Sequence, residues 1–125
     1  MIISNGLLIT ASVLLVFTTF AHSLLGERRL IGPLLARREG VLASELARVV
    51  LRFAWHLTSV TWLVLALILV RLVRDPATVR LWAAAGTGVA FTGVGLVDAV
   101  ASRGRHVGWP LLTAIGIAAL LSLRH

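Results

Sequence analysis

The amino-acid sequence predicts an all-α protein, an integral membrane bundle of four transmembrane helices with an interfacial segment after the first. Hydrophobic residues make up 58% of the 125 residues and charged residues only 14%, whereas a soluble domain has about 25% charged residues. The apolar residues form four long runs without charge, each close to the roughly 20 residues that a transmembrane helix needs. The arginines lie in short clusters between these runs, as is typical of polytopic membrane proteins.

We predict a single transmembrane domain over residues 1–125, with spans at about 2–26, 49–70, 81–102 and 106–123. The first run has neither a positively charged start nor a small-residue cleavage site, so we expect it to be a retained helix and not a signal peptide. The second helix is expected to begin at about residue 41. Pro110 falls in the first turn of the fourth span, where its missing N–H has no helical partner to lose.

Small residues recur in the third span. Ala84, Gly88 and Thr92 are spaced four apart, with Gly86 and Gly93 nearby. Small side chains at this spacing allow the backbone of a neighbouring helix to approach closely. We therefore predict close helix packing on this face.

Residues 27–48 form the predicted interfacial segment. Its first part has charged ends around an apolar centre, with a break expected at Gly32-Pro33. Such a piece is expected to lie in the headgroup layer of the lipid bilayer, with its arginines toward anionic lipid headgroups. The headgroup contacts predicted here are Arg28, Arg29, Arg37 and Arg38.

The arginines also predict an orientation. In the four-span topology, eight of the twelve lie on the side of the first and third loops and four on the other side. Because positive charge is enriched on the cytoplasmic side, we expect both termini outside the cytoplasm, in the inner (plasma) membrane of a bacterium. We therefore interpret the net charge of +7 as interacting with anionic lipid. We expect no nucleic-acid partner, since the arginines do not cluster on one solvated face.

Some activities have no support in the sequence. The chain has no cysteine, which excludes a disulfide framework and thiol redox chemistry. It has neither a G-x-S-x-G motif nor a glycine-rich phosphate loop followed by lysine. The sequence therefore gives no indication of nucleotide chemistry or of hydrolysis by a nucleophilic serine in this motif.

Ionisable residues are costly inside a membrane and indicate function by default. In the predicted topology they gather at the cytoplasmic end of all four helices, which suggests a bound transition metal ion (Zn, Fe or Cu), since imidazole and carboxylate groups ligate these metals. Redox and hydrolytic activity are the chemistries considered. The predicted ligands are His22, His56, His106, Glu27 and Asp98.

Four further residues are predicted to support this cluster. Arg52 supplies a counter-charge, and Ser59 lies on the same helical face as His56, where it could orient the ring. Trp55 and Trp109 each lie near a histidine in sequence and could exclude water, although indoles also anchor helices at the interface. Thr58 and its neighbouring hydroxyls are expected to bond to the carbonyl one turn earlier.

Three alternatives stay open. Haem b could be held by His56 with His22 or His106 as axial ligands. The chain could instead be a non-catalytic accessory subunit that packs on a larger membrane complex through the glycine face of the third span, and it could form a homo-oligomer. Finally, the ionisable residues could only hydrogen-bond to one another and to headgroups, fixing helix register. The spacing matches no named metal motif, since His22 and Glu27 are five apart and face one point only if the helix ends at Gly26.

Overall fold

A computed structural model describes residues 2–124, and all its regular elements are helical. The chain therefore has the predicted all-α fold class. The helices are α1 (Ile2–Phe20), α2 (Gly32–Ala36), α3 (Glu45–Arg74), α4 (Val79–Ala101) and α5 (Gly108–Leu121). Two π-helical segments, Ala21–Leu25 and Glu27–Ile31, join α1 to α2, and 3₁₀ turns lie at Gly40–Ala43, Pro76–Thr78 and Ser122–Arg124.

Among the described residues, three helical stretches are long and apolar enough to cross a membrane, namely Asn5–Ala36, Glu45–Arg74 and Pro76–Ala101. The fourth, Gly108–Arg124, is apolar but shorter. The 14 residues of α5 rise about 21 Å, less than the roughly 30 Å of a hydrocarbon core. Of the four predicted spans, three correspond to helices of spanning length, and the fourth corresponds to a shorter helix that starts just before Pro110.

The surface is apolar and much of the interior is polar. Among the described residues, the buried apolar side chains are Ile31, Leu35 and Ala66, while large apolar side chains such as Phe17 (71% exposed) and Leu111 (67% exposed) cover the outside. The buried polar residues are Ser12, Thr19, Ser59, Asp98 and Ser102. Water would strongly disfavour so much exposed apolar surface, whereas lipid is an apolar solvent for it.

The long helices pack in the order of the chain. α1 packs against α3, α3 against α4, and α4 against α5. Across the first of these contacts, the buried Ser12 Oγ donates to the carbonyl of Ala66 at 3.0 Å. Within the described chain, α1 has no extensive contact with α4 or α5. The arrangement is thus an open row of helices, and not a closed bundle in which four helix ends meet.

Close packing occurs where the small residues of α4 meet α5. A Cβ on Gly88 would overlap Leu120, and one on Gly116 would overlap Thr92. The predicted close approach at Gly88 and Thr92 is therefore present, and α5 covers this part of the glycine face. Gly93, by contrast, has nothing within 4 Å of the position where a Cβ would lie.

The sequence predicts that the first helix ends at Gly26, but in the structure the helix continues through this residue. Gly26 has helical dihedral angles, φ −62° and ψ −45°, and its N–H donates to His22 and Ser23 carbonyls. A glycine is required here because a Cβ would lie 2.5 Å from the Trp55 indole of α3. A glycine occupies this position because α3 approaches closely, and not because the chain reverses direction here.

The helix also continues through Gly32-Pro33, where a break was expected. The N–H of Gly32 donates to the Glu27 carbonyl, five residues earlier. Proline in an α-helix usually clashes with the carbonyl four residues before it; the segment just before Pro33 is π-helical, so the register that produces this clash is not the one present here. Residues 27–36 therefore extend the first helix, where a separate interfacial segment was predicted.

The start of α3 also differs from expectation. α3 begins at Glu45, not near residue 41, because Ser44 is its N-cap and accepts from the Ala47 N–H at 3.4 Å. Asn5–Ala36 has 32 residues and α3 has 30, so these helices are about 48 and 45 Å long. Both exceed the hydrocarbon thickness.

Candidate functional site

The ionisable residues that the sequence analysis singled out lie at one end of the molecule. We call this the arginine-rich end and define it as residues 21–56 and 97–109. Two ion pairs connect different elements at this end. Glu27 pairs with an arginine of α3, and Arg105 Nη2 lies 3.5 Å from Glu45 Oε2. Both members of the Arg105–Glu45 pair are about half exposed, so this pair adds little stability. It does show that the loop before α5 lies beside the start of α3.

A polar network connects the first helix to α3. Arg52 Nη2 lies 3.0 Å from Glu27 Oε1, and the other Glu27 oxygen lies 3.3 Å from His56 Nε2. The second ring nitrogen of His56 is 3.1 Å from Ser23 Oγ, which is 2.8 Å from the buried Ser59 Oγ. Both nitrogens of His56 are therefore engaged. Ser59 reaches the ring through Ser23, not directly as predicted.

His22 belongs to a separate contact. Its ring stacks on Trp55 with a centroid distance of 4.1 Å, and Trp62 meets it edge-on at 5.0 Å. His22 Nε2 donates to the Trp55 carbonyl and Trp55 Nε1 donates to the His22 carbonyl, each at 3.2 Å. These reciprocal bonds fix the ring between α1 and α3. Trp55 thus packs on His22, and Trp62, which has no histidine near it in sequence, is a neighbour of the same ring.

Asp98 and His106 form a second pair between α4 and the start of α5. His106 Nδ1 lies 2.5 Å from Asp98 Oδ2, and the Asp98 side chain is fully buried. Among residues 2–124, Asp98 Oδ1 and Ser102 Oγ are buried without a hydrogen-bond partner. Gly108 leaves room for the imidazole, because a Cβ there would lie 2.5 Å from the ring.

The five predicted metal ligands are thus distributed over three places. His56 contacts Glu27, His106 contacts Asp98, and His22 stacks on Trp55. Within the described chain, no three His, Asp or Glu side chains are placed to share a metal ion. The reason lies in the open row of helices, since Glu27 and His56 lie between the first helix and α3, whereas Asp98 and His106 lie between α4 and α5.

The remaining predicted residues lie at the periphery. Trp109 donates from Nε1 to the Gly104 carbonyl at 3.4 Å, in the loop before α5. The four arginines predicted to contact headgroups are exposed, and none of them pairs with a carboxylate in the described residues; they are Arg28, Arg29, Arg37 and Arg38. Thr58 donates to the Ala54 carbonyl at 3.4 Å, one turn earlier, as predicted.

A cavity of about 570 Å³ opens at the arginine-rich end between α2, α3 and α4. We call it the head cavity. Three arginines line it, Arg38, Arg48 and Arg52, together with Glu45 and His56. Its volume lies within the usual range of small-molecule sites, about 300–1,000 Å³.

Apolar side chains also line the head cavity. They include Leu35 of α2, Val49 and Phe53 of α3, and Val97 of α4. Leu35 is buried, so this side of the cavity is fixed by packing. The lining of the cavity therefore combines arginine side chains with apolar side chains.

A second cavity of about 390 Å³, which we call the tail groove, runs between α3 and α4. It shares Phe53, His56 and Val97 with the head cavity and extends to Val60 and Val89. Val89 and Val97 are eight positions apart, which corresponds to about 12 Å along α4. Except at His56 its lining is apolar, and Gly93 lies in its wall. The two cavities thus lead from the arginines into the apolar part of the helices.

Ser23 was not among the predicted site residues, although its spacing in the sequence could have indicated it. Ser23 and Glu27 are four residues apart, and both contact His56 of α3. Four-residue spacing places side chains on one helical face. On α3, His56 and Ser59 are three apart and face back toward them. The cavities had no such signal, since they arise from three elements distant in sequence.

No protein family, curated protein or solved structure matches this chain.

Proposed function

We propose that this chain is an integral membrane protein that binds a lipid with an anionic head group, the head in the head cavity and a tail in the tail groove. One observation carries the proposal: an arginine-lined cavity continues past Phe53, His56 and Val97 into an apolar groove. A ligand that fills both parts needs negative charge at one end and hydrocarbon at the other. Basic pockets between membrane helices are known to hold anionic headgroups.

The proposed membrane orientation places the arginine-rich end at the cytoplasmic interface. Eight of the twelve arginines belong to this side of the topology, which supports the assignment. The head cavity then lies at headgroup level, where the first helix and α3 extend beyond the hydrocarbon core. The tail groove lies in the core itself, open to lipid. The protein would be a multi-pass protein of the plasma membrane with both termini outside, and its bacterial origin stays a prediction.

Binding can be tested with two lipids that differ in head charge. The full chain, purified in a neutral detergent, is titrated with dioleoylphosphatidylglycerol or dioleoylphosphatidylcholine, and bound lipid is counted by native mass spectrometry. We expect one tightly bound phosphatidylglycerol and at least about tenfold weaker binding of phosphatidylcholine, which corresponds to about 1.4 kcal/mol. Equal binding of the two lipids would contradict the proposal.

A matched pair of variants locates the tail. Gly93→Leu adds a side chain to the wall of the tail groove, while Gly6→Leu adds the same side chain to α1, and both glycines have open space at the Cβ position. We expect Gly93→Leu to weaken phosphatidylglycerol binding and Gly6→Leu to leave it unchanged. Equal effects would mean that the lipid lies elsewhere on the apolar surface.

A transition metal ion at the Asp98–His106 pair is the second candidate. The observation in its favour is the fully buried Asp98 carboxylate, whose Oδ1 has no partner in the part of the chain that the structure describes. Carboxylate and imidazole are suitable ligands for zinc. Elemental analysis of purified protein tests this: zinc that is lost in Asp98→Asn and retained in His56→Ala would support the site. Zinc below stoichiometric amounts in the unaltered protein would refute it.

Haem b binding stays a prediction, as does the role of an accessory subunit. For the accessory subunit, Gly88 is covered by α5 whereas Gly93 has open space at its Cβ position, so a partner protein would have to use the Gly93 part of this face or another surface.

A further inference from the structure

We infer that the preferred head group is a phosphate monoester, as in phosphatidate, and not a phosphodiester. This inference rests on the proposed lipid-binding function. It follows from the number of uncompensated charges at the head cavity and from the way its arginines are held. His56, at the junction of head cavity and tail groove, marks where the head of such a lipid meets its hydrocarbon.

The charge balance of the head cavity leaves two positive charges. Arg38, Arg48 and Arg52 line the cavity together with one carboxylate, Glu45. Outside the lining, Glu27 pairs with Arg52, and Arg105 pairs with Glu45. Four guanidinium groups therefore stand against two carboxylates. A phosphate monoester carries about −1.5 to −2 charges at neutral pH, which matches this excess, whereas a diester carries a single charge.

Two of the arginines are held in place by the protein itself. Arg48 Nη1 donates to the carbonyl of Leu42 at 2.7 Å and to that of Ala43 at 3.0 Å. Arg52 Nη2 is held by Glu27 at 3.0 Å. Each guanidinium has five N–H donors, so donors remain for a ligand after these bonds are made. Arginines fixed in this way lose less side-chain entropy when an anion binds.

The third arginine, Arg38, has an unusual backbone. Its φ is 53°, in the left-handed region that non-glycine residues rarely adopt. Arg38 directly follows Arg37, the C-cap of α2, and a left-handed residue at this position is a common way to end a helix. Arg103 has the same φ of 53° at the same end of the molecule but does not line the head cavity. The two arginines therefore form a matched pair for testing the head cavity.

The three terminal oxygens of a phosphate monoester suit this arrangement better than the two of a diester. Guanidinium groups bind phosphate through parallel N–H···O bonds. Two of the lining arginines, Arg48 and Arg52, lie one turn apart on α3, and Arg38 follows α2. A diester has one charged terminal oxygen fewer than a monoester, so three arginines then share two acceptors in place of three.

The test compares three lipids on the full-length protein: dioleoylphosphatidate, dioleoylphosphatidylglycerol and dioleoylphosphatidylcholine, with dissociation constants measured by native mass spectrometry in neutral detergent. We expect phosphatidate to bind about tenfold more tightly than phosphatidylglycerol, and both more tightly than phosphatidylcholine. Equal binding of the two anionic lipids, with weaker phosphatidylcholine, overturns the monoester inference and leaves the proposed function standing. Equal binding of all three overturns both.

The arginine pair gives the control. Arg38→Gly and Arg103→Gly each remove one guanidinium and relieve the same backbone strain, so neither is expected to unfold the protein. We expect Arg38→Gly to reduce the preference for phosphatidate over phosphatidylglycerol to about threefold or less, and Arg103→Gly to leave it unchanged. A preference that survives Arg38→Gly, or that is lost equally in both variants, overturns the assignment of the phosphate to the head cavity.

Discussion

Gly26→Ala is the substitution that most directly tests how the first helix and α3 fit together. In an open stretch of helix, alanine in place of glycine is stabilising by about 1 kcal/mol. At Gly26 the added Cβ would lie 2.5 Å from Cζ2, 2.8 Å from Nε1 and 2.9 Å from Cε2 of Trp55. The indole has to move, and it is held by its stack on His22 and by its bond to the His22 carbonyl.

The expected cost can be estimated from these contacts. Overpacking of a well-packed interface costs about 1–3 kcal/mol, and loss of the Trp55 Nε1 hydrogen bond adds about 1 kcal/mol. The gain in helix propensity offsets about 1 kcal/mol. The net expectation is a destabilisation of about 1–3 kcal/mol. It should be accompanied by a change in tryptophan fluorescence, because the environment of Trp55 changes.

The assay is thermal unfolding in detergent, followed by circular dichroism and tryptophan fluorescence. Gly6→Ala is the control, since a Cβ on Gly6 has nothing within 4 Å. We expect Gly26→Ala to unfold at a lower temperature than the unaltered protein, and Gly6→Ala at the same or a higher temperature. If Gly26→Ala is as stable as Gly6→Ala, the first helix does not approach Trp55 as described, and the continuous path through Gly26 is refuted.

Two further predictions concern orientation and the second polar pair. Because the chain has no cysteine, a single introduced cysteine reports on which side of the membrane it lies. Ala77→Cys, exposed in the Pro76–Thr78 turn, is expected to react with a membrane-impermeant maleimide in intact cells. Ala43→Cys is expected to react only after permeabilisation. The reverse pattern would contradict the proposed orientation. Asp98→Asn removes the charge that His106 contacts in a buried position and is expected to destabilise the protein by about 2 kcal/mol in thermal unfolding. An unchanged melting temperature would mean that the pair is not formed.

Much of the architecture follows from the hydropathy pattern. Four apolar runs separated by arginines predict helices, and the alternation of helix direction places the ionisable residues at one end. The contacts of Glu27 with His56 and of Asp98 with His106 agree with that placement. Gly88 and Thr92 were recognisable as a close-packing face because their four-residue spacing repeats.

The path of the first helix could not be predicted from the same rules. Glycine and proline ordinarily interrupt helices, so Gly26, Gly32 and Pro33 indicate a break. The structure passes them through π-helical segments, whose hydrogen bonds skip one residue more than those of an α-helix. A pattern based on 3.6 residues per turn does not detect this change of register.

The separation of the polar residues into three places could also not be predicted from the sequence. The prediction of a five-ligand cluster assumed that all four helix ends meet around one axis. The helices instead pack in a row, and this separates Glu27 and His56 from Asp98 and His106. The head cavity depends on the same row, because it opens where α2 lies beside α3 and α4.

The central claim is that a lipid tail lies between α3 and α4, and photocrosslinking tests it most directly. The full-length protein is incubated with phosphatidylglycerol that carries a diazirine in its acyl chain, in excess unlabelled phosphatidylcholine, and the labelled residues are mapped by mass spectrometry. The account predicts labels concentrated in residues 53–60 and 89–97, which line the tail groove. Labels spread equally over outer surfaces such as Phe17 and Leu111, which are 71% and 67% exposed, would contradict it.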